Sequence, residues 1–120
     1  MKTKIAIVDD SRMLRERIIQ MLDELGYEVV IEAENGADFL DQLNRASSMP
    51  DVCLLDMEMP VMNGCKAATA LRRLYPPIKI LGHSFDAANE SAMLRAGAHG
   101  FIAKGATPEE LSEKIAELVA

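Results

Sequence analysis

Four apolar residues in a row, Val52-Cys53-Leu54-Leu55, run directly into a carboxylate, Asp56. A short run without polar alternation reads as a strand buried on both faces, the pattern of a parallel sheet covered by helices. Ending such a strand in a charge sets Asp56 at the carboxyl edge of the sheet, where ligands gather in open α/β folds. The loop that follows, Met57-Glu58-Met59-Pro60, is punctuated by Pro60 and by Asn63-Gly64, and a helical pattern then begins.

The rest of the chain repeats this unit. Ile5-Ala6-Ile7-Val8 is a first strand that stops at Asp9-Asp10, after which Ser11 caps a helix with Leu14, Ile18, Met21, Leu22 and Leu25 at helical spacing and Gly26 at its end. Val29-Val30-Ile31 reads as a second strand, closed by a turn signal over residues 32–36, with Phe39, Leu40 and Leu43 marking the next helix. After the Asp56 strand, residues 64–74 read as a helix with Ala67, Ala68, Leu71 and Leu74 inward, stopped by Pro76-Pro77. Ile78-Lys79-Ile80-Leu81 is the fourth strand and reaches Gly82-His83-Ser84. Residues 87–96 form a weaker helix resting on Met93 and Leu94, and Gly100-Phe101-Ile102-Ala103 is a fifth strand ending at Lys104. Thr107-Pro108-Glu109-Glu110 opens the last helix with a cap, a proline at its first position and a reciprocal glutamate, and Leu111, Ile115, Leu118 and Val119 form its stripe. Five strands alternating with five helices predict one α/β domain over residues 1–120, built on a parallel sheet with helices on both faces.

Composition narrows the function. Nineteen acids against 13 Lys and Arg leave a net charge of −6, which argues against direct nucleic-acid binding by this domain and favours cations or basic partner surfaces. The five aromatic residues, Tyr27, Phe39, Tyr75, Phe85 and Phe101, do not make a stacking platform. Two cysteines, one of them within a buried strand, read as reduced thiols. No apolar run approaches the roughly 18 residues that span a bilayer, and the N-terminal Met1-Lys2-Thr3-Lys4 leads into a strand, so a cytoplasmic location without membrane association is expected.

Asp9-Asp10, Asp56, Ser84 and Lys104 stand at the ends of four strands, and in a parallel sheet those ends share one edge. Taken singly, each has a plain structural role as a helix cap, a turn former or a solvated charge. Four equivalent positions together point to chemistry. Asp9, Asp10 and Asp56, with Glu58 nearby, repel one another unless a cation sits among them, and hard oxygen ligands of this kind suit Mg²⁺. A carboxylate beside Mg²⁺, with a hydroxyl and an ammonium opposite, is equipped to receive a phosphoryl group, with Asp56 as nucleophile and Lys104 stabilising the transferring oxygens. Neither a Walker-type loop nor a GxGxxG motif is present, which argues against a nucleotide donor. His83 and His99 lack ligand spacing, so His83 reads as a strand-end side chain and Cys53 as core packing.

The motifs Val8-Asp9-Asp10-Ser11, Leu54-Leu55-Asp56-Met57-Glu58-Met59-Pro60 with Asn63-Gly64, Ser84, and Phe101-Ile102-Ala103-Lys104 resemble those of the receiver domains of two-component response regulators. The resemblance runs from Lys4 to about Leu118. It implies a flavodoxin-like (βα)5 fold with strand order 2-1-3-4-5. It further implies phosphorylation of Asp56 by a histidine kinase or histidine phosphotransfer protein, with no catalysis beyond the chain's own phosphorylation and slow dephosphorylation. Asp10, Asp56 and the backbone carbonyl of Glu58 would then ligate Mg²⁺ directly, with Asp9 acting through water. Ser84 and Lys104 would contact the phosphoryl group, and Ser84 and Phe101 match switch positions. Readout would use the face of the fourth helix, fifth strand and fifth helix, and a receiver homodimer is a further partner. The stretch from Ala96 to Lys104 looks most like receivers that precede a LuxR-type helix-turn-helix domain, implying transcription control through an attached DNA-binding domain. The chain departs from the pattern at Gly105, where many receivers carry proline after the lysine. Two other classes share the parts: an aspartate-nucleophile phosphatase, and a receiver-shaped interaction module that is never phosphorylated.

Overall fold

The computed structural model describes residues 2–120, and its elements follow the order that the apolar runs predict. They are β1 (Lys4–Val8), α1 (Arg12–Glu24), β2 (Glu28–Ala33), α2 (Gly36–Arg45), β3 (Val52–Asp56), α3 (Gly64–Leu74), β4 (Lys79–Ser84), α4 (Asn89–Arg95), β5 (Gly100–Ala103) and α5 (Pro108–Val119). The strands form one parallel sheet of order β2-β1-β3-β4-β5, as the resemblance implied.

The period of two along each strand explains why these runs are apolar throughout. Ile5, Ile7, Leu54, Leu81 and Ile102 face α1 and α5, where they join Ile18, Leu22, Leu111 and Ile115 in one core. Their neighbours Ala6, Val8, Leu55, Ile80 and Phe101 face the other way and pack with Phe39, Leu43, Ala68, Leu71 and Met93 of α2, α3 and α4. With helices on both faces, an inner strand has no side left for water.

Several boundaries and faces differ from the sequence expectation. β2 extends to Ala33 because Glu32 and Ala33 pair with Ile7 and Val8, so the turn shrinks and Asn35 becomes the cap of α2. β4 begins one residue late and continues through Ser84, paired with Asp56 and with β5. α4 begins at Asn89 and not at residue 87, because the preceding turn is bonded differently. Asn89 N–H donates to the Asp86 carbonyl (3.0 Å), and Ala88 N–H donates to the Asp86 side chain (2.9 Å). Leu74, Leu94 and Val119, expected inward, are exposed. Tyr75 takes the packing position beyond Leu71, while Leu94 and Val119 each lie one helical step past the residue that packs, Met93 and Leu118.

Candidate functional site

β1 and β3 are neighbours, and the chain turns in opposite directions from them, to β2 on one side and to β4 and β5 on the other. This is the switch point where the loops part and open a crevice at the carboxyl ends. Val8 pairs with Leu55, so Asp9 and Asp56 leave the sheet side by side. Both are almost fully buried, at 1% and 2% exposure, whereas Asp10 is exposed. One carboxylate oxygen from each of Asp9, Asp10 and Asp56 lies within 4.8 Å of the others.

Lys104 follows β5 and, among the described residues, is the single ammonium that meets these acids at ion-pair distance. Its Nζ stands 2.8 Å from Asp9 Oδ2 and 3.0 Å from Asp56 Oδ1. The remaining acceptor sites are partly met by backbone. Ser11 N–H donates to Asp9 Oδ1 (2.8 Å) and Glu58 N–H to Asp56 Oδ1 (3.2 Å). Asp56 Oδ2 is buried with no hydrogen-bond partner among the described residues, and Asp9 Oδ2 meets the ammonium without a directed hydrogen bond. Burial pushes the Asp56 carboxyl up to about 6, with Asp9 adding to the rise and Lys104 opposing it. Burial by itself would lower Lys104, but its close pairing with the Asp9 and Asp56 carboxylates prevails and holds it above its ordinary value.

Three acids around one ammonium leave an excess of negative charge and an orphaned oxygen, the condition that a hard divalent cation relieves. The residues fit such an ion. The cleft above them holds about 810 Å³ and is lined by Asp10, Asp56, Glu58, Ser84 and Lys104.

Ser84 ends β4 on the same rim and is buried. Its Oγ accepts from Asp86 N–H (3.1 Å) and from the Asn89 side-chain amide (3.0 Å). The same amide lies 3.4 Å from Glu58 Oε1, linking the β3 loop, Ser84 and the first residue of α4. Phe101 lies off this rim. It is buried in the core with Met93 and Ala98, one residue before Ile102 on β5.

Of the expected site residues, Asp9, Asp10, Asp56, Glu58, Ser84 and Lys104 converge and Phe101 stands behind them. His83 pairs with Asp56 in register but faces α1 and α5, and burial, with Lys104 adding to it, lowers its ring to about 4. His99 is a tie within the fold, its Nδ1 accepting from Ile80 N–H (3.0 Å). Three contributors escaped the sequence reading. Asn89 holds Ser84, Arg15 donates to the Asp9 carbonyl (2.6 Å), and the exposed Phe85 ring lies 5.4 Å from the Lys104 ammonium. None carries a periodic or motif signal, because each acts across loops that the sequence leaves unplaced. At Gly105 the backbone adopts φ +90°, a region open to glycine and closed to proline, so the departure from the family pattern is built into the loop.

The family model for the response regulator receiver domain matches residues 5–116. The chain belongs to the response regulator receiver family. This receiver domain is 39% identical to the nitrate/nitrite response regulator protein NarP of Escherichia coli over 115 residues, covering 93% of this chain and 53% of that one. It is 35% identical over 116 residues to the chemotaxis protein CheY1 of Helicobacter pylori, covering 93% of both. The signal receiver domain of NarL from Mycobacterium tuberculosis superposes with a TM-score of 0.86 at 32% identity, covering 97% of this chain and 94% of that one. The chain spans about half the length, or less, of the first few curated relatives it matches. As a receiver of two-component systems it is a phosphoacceptor signalling switch, and no helix among the described residues is long and apolar enough to cross a membrane.

Proposed function

We propose that Asp56 is the phosphoacceptor and that Asp9, Asp10, Asp56 and the backbone carbonyl of Glu58 hold Mg²⁺, Asp9 through water. The observation that carries this reading is the orphaned, buried oxygen of Asp56 in a cluster of three acids that one ammonium leaves under-neutralised. Bound there, Mg²⁺ supplies positive charge to the oxygens of the transferring group.

The residues of the chain do the rest. An Asp56 oxygen attacks the phosphorus of a phosphohistidine on a histidine kinase or phosphotransfer protein. The P–N bond to the imidazole breaks, and the leaving nitrogen keeps the electron pair. The product is an acyl phosphate. Lys104, already at 3.0 Å, offsets charge on the phosphoryl oxygens. The Ser84 hydroxyl, which now only accepts hydrogen bonds, has a proton free to donate to one of those oxygens. Turning toward the phosphoryl group, it releases Asn89 and the Asp86 N–H, so the start of α4 loses two restraints at once. That release biases the α4–β5–α5 face, with Phe101 beneath it, between two populations.

Residues 1–120 act in this scheme as one cytoplasmic receiver domain with no chemistry beyond its own modification. A second receiver copy is a further partner, and a DNA-binding domain outside these residues carries the transcriptional response. The deciding experiment incubates the protein with acetyl phosphate and Mg²⁺ and maps the modification by mass spectrometry. Wild type takes one phosphoryl group at Asp56 and the Asp56→Asn variant takes none. Undiminished labelling of that variant would refute the nucleophile, and steady hydrolysis of phosphate esters would move the protein into the phosphatase class.

Removal of metal gives a second check. Because burial raises the Asp56 carboxyl to about 6 in the folded chain, ionising it weakens the fold as pH rises from its unfolded value toward 6. Asp56→Asn is therefore expected to melt higher than wild type in chelator at pH 7.5, with the gap closing toward pH 4.

A further inference from the structure

The alternation along β4 puts Ile80 and Gly82 toward α4, and Leu81 and His83 toward α1 and α5. His83 thus occupies a place where the face is otherwise aliphatic. It lines a separate cavity of about 180 Å³ with Ile18, Leu54, Ile102, Leu111 and Phe85. The residue is buried at 6% exposure, yet its side chain makes no hydrogen bond among the described residues. Among the described residues, the only buried polar side-chain atoms sealed off without a partner belong to Asp9 and Asp56, so the ring nitrogens of His83 touch open space. For a residue this buried, that space is the cavity.

Among the described residues, His83 and Arg17 are the only polar side chains on the cavity wall. The pocket opens to solvent past Arg17, Phe85, Ala103 and Gly105, but water on its apolar floor of Ile18, Leu54, Ile102 and Leu111 finds few polar partners. The volume of about 180 Å³ is enough for one aromatic ring laid on that floor. A hydroxyl both donates and accepts, so it satisfies an imidazole nitrogen in either tautomer. A carboxylate could reach the exposed Arg17 at the mouth, but at His83 it would bring a further negative charge toward Asp9 and Asp56 in a chain of net charge −6.

We propose that this cavity binds a single-ring hydroxyl compound of the phenol class, its ring among Ile18, Leu54, Ile102 and Leu111 and its hydroxyl bonded to His83. Phe85 lines both this cavity and the acidic cleft, and its ring lies 5.4 Å from the Lys104 ammonium. Occupancy is therefore felt at Lys104.

The test is a methyl and amide NMR titration of the 120-residue chain at pH 7.5 with phenol and, separately, with toluene. Phenol is expected to give saturable shifts confined to the methyls of Ile18, Leu54, Ile102 and Leu111 and the amide of Lys104, with Kd on the order of 1 mM. Toluene, lacking the hydroxyl, binds roughly fivefold more weakly. His83→Leu brings phenol down to the affinity of toluene. Equal binding of phenol and toluene by wild type would overturn the assignment whether or not the variant folds. Phenol shifts that scatter over the surface and never saturate would overturn it as well.

Discussion

α4 and α5 both rise from the carboxyl edge of the sheet, one after β4 and the other after β5, yet they are held in different ways. α5 spans 12 residues, begins with a complete capping box between Thr107 and Glu110, carries Pro108 at its start and acids in its first turn, and buries Leu111 and Ile115. α4 spans seven residues, has no side-chain cap at Ala88, and buries Met93 alone. Helices this short are marginal in water, so α4 owes its shape to tertiary contacts and to the turn that ties it to Ser84. The contrast shows where a signal can act. α5 carries its own cap and a two-residue buried stripe, whereas α4 depends on hydrogen bonds at the same serine that a phosphoryl group on Asp56 would engage.

The sharpest way to break this comparison is to remove the one anchor of α4. Met93 is fully buried against Gly82 and Phe101, so Met93→Ala is expected to lower stability by about 4 kcal/mol in urea denaturation. A loss below about 1 kcal/mol would mean that other contacts hold α4.

Acid probes the opposite, α5-bearing face. The folded pKa of His83 is lowered to about 4, first by burial and then by the Lys104 charge, from an ordinary 6.5. The unfolded chain therefore binds the extra proton first, and stability is lost as pH falls from 6.5 toward 4, by about 3 kcal/mol. Measured in the Asp56→Asn background, which removes the opposing contribution of the raised Asp56 carboxyl over the same range, His83→Leu is expected to flatten that part of the pH–stability curve, and an unchanged curve would assign the acid sensitivity elsewhere.

Smaller effects sharpen the contrast in local support. Thr107→Ala removes the hydroxyl half of the capping box, the acceptor for the Glu110 N–H, and is expected to cost about 1 kcal/mol, with faster amide exchange limited to the first turn of α5. Ser84→Ala removes the acceptor for Asn89 and Asp86, and the amides at the start of α4 should exchange roughly fivefold faster while those of α5 stay as they are. Equal acceleration in the two helices would show that α4 is no more dependent on the site than α5.

Much of this is legible in the sequence. The strand runs are readable because both faces of an inner parallel strand are apolar, and α5 is readable because capping box, proline and stripe agree within a few residues. α4 is not, since its start is set by an i→i+3 turn at Asp86 that competes with the helix and leaves no mark in the apolar pattern. The convergence of Asp9, Asp56, Ser84 and Lys104 was readable from strand ends alone. The strand order came from the family resemblance, because periodicity is blind to which strands are neighbours.

By itself the sequence determined that this is an alternating α/β receiver domain with acids, a hydroxyl and an ammonium at one edge, because strand period and strand ends are local properties. Only the tertiary structure decided that Asp9 is buried against Lys104 while the adjacent Asp10 faces the cleft, and that Asn89 reaches back to Ser84. It also turned Leu74, Leu94 and Val119 outward and pointed His83 into a cavity between α1 and α5. Each of these depends on the rotation of one element against another, which no local pattern encodes.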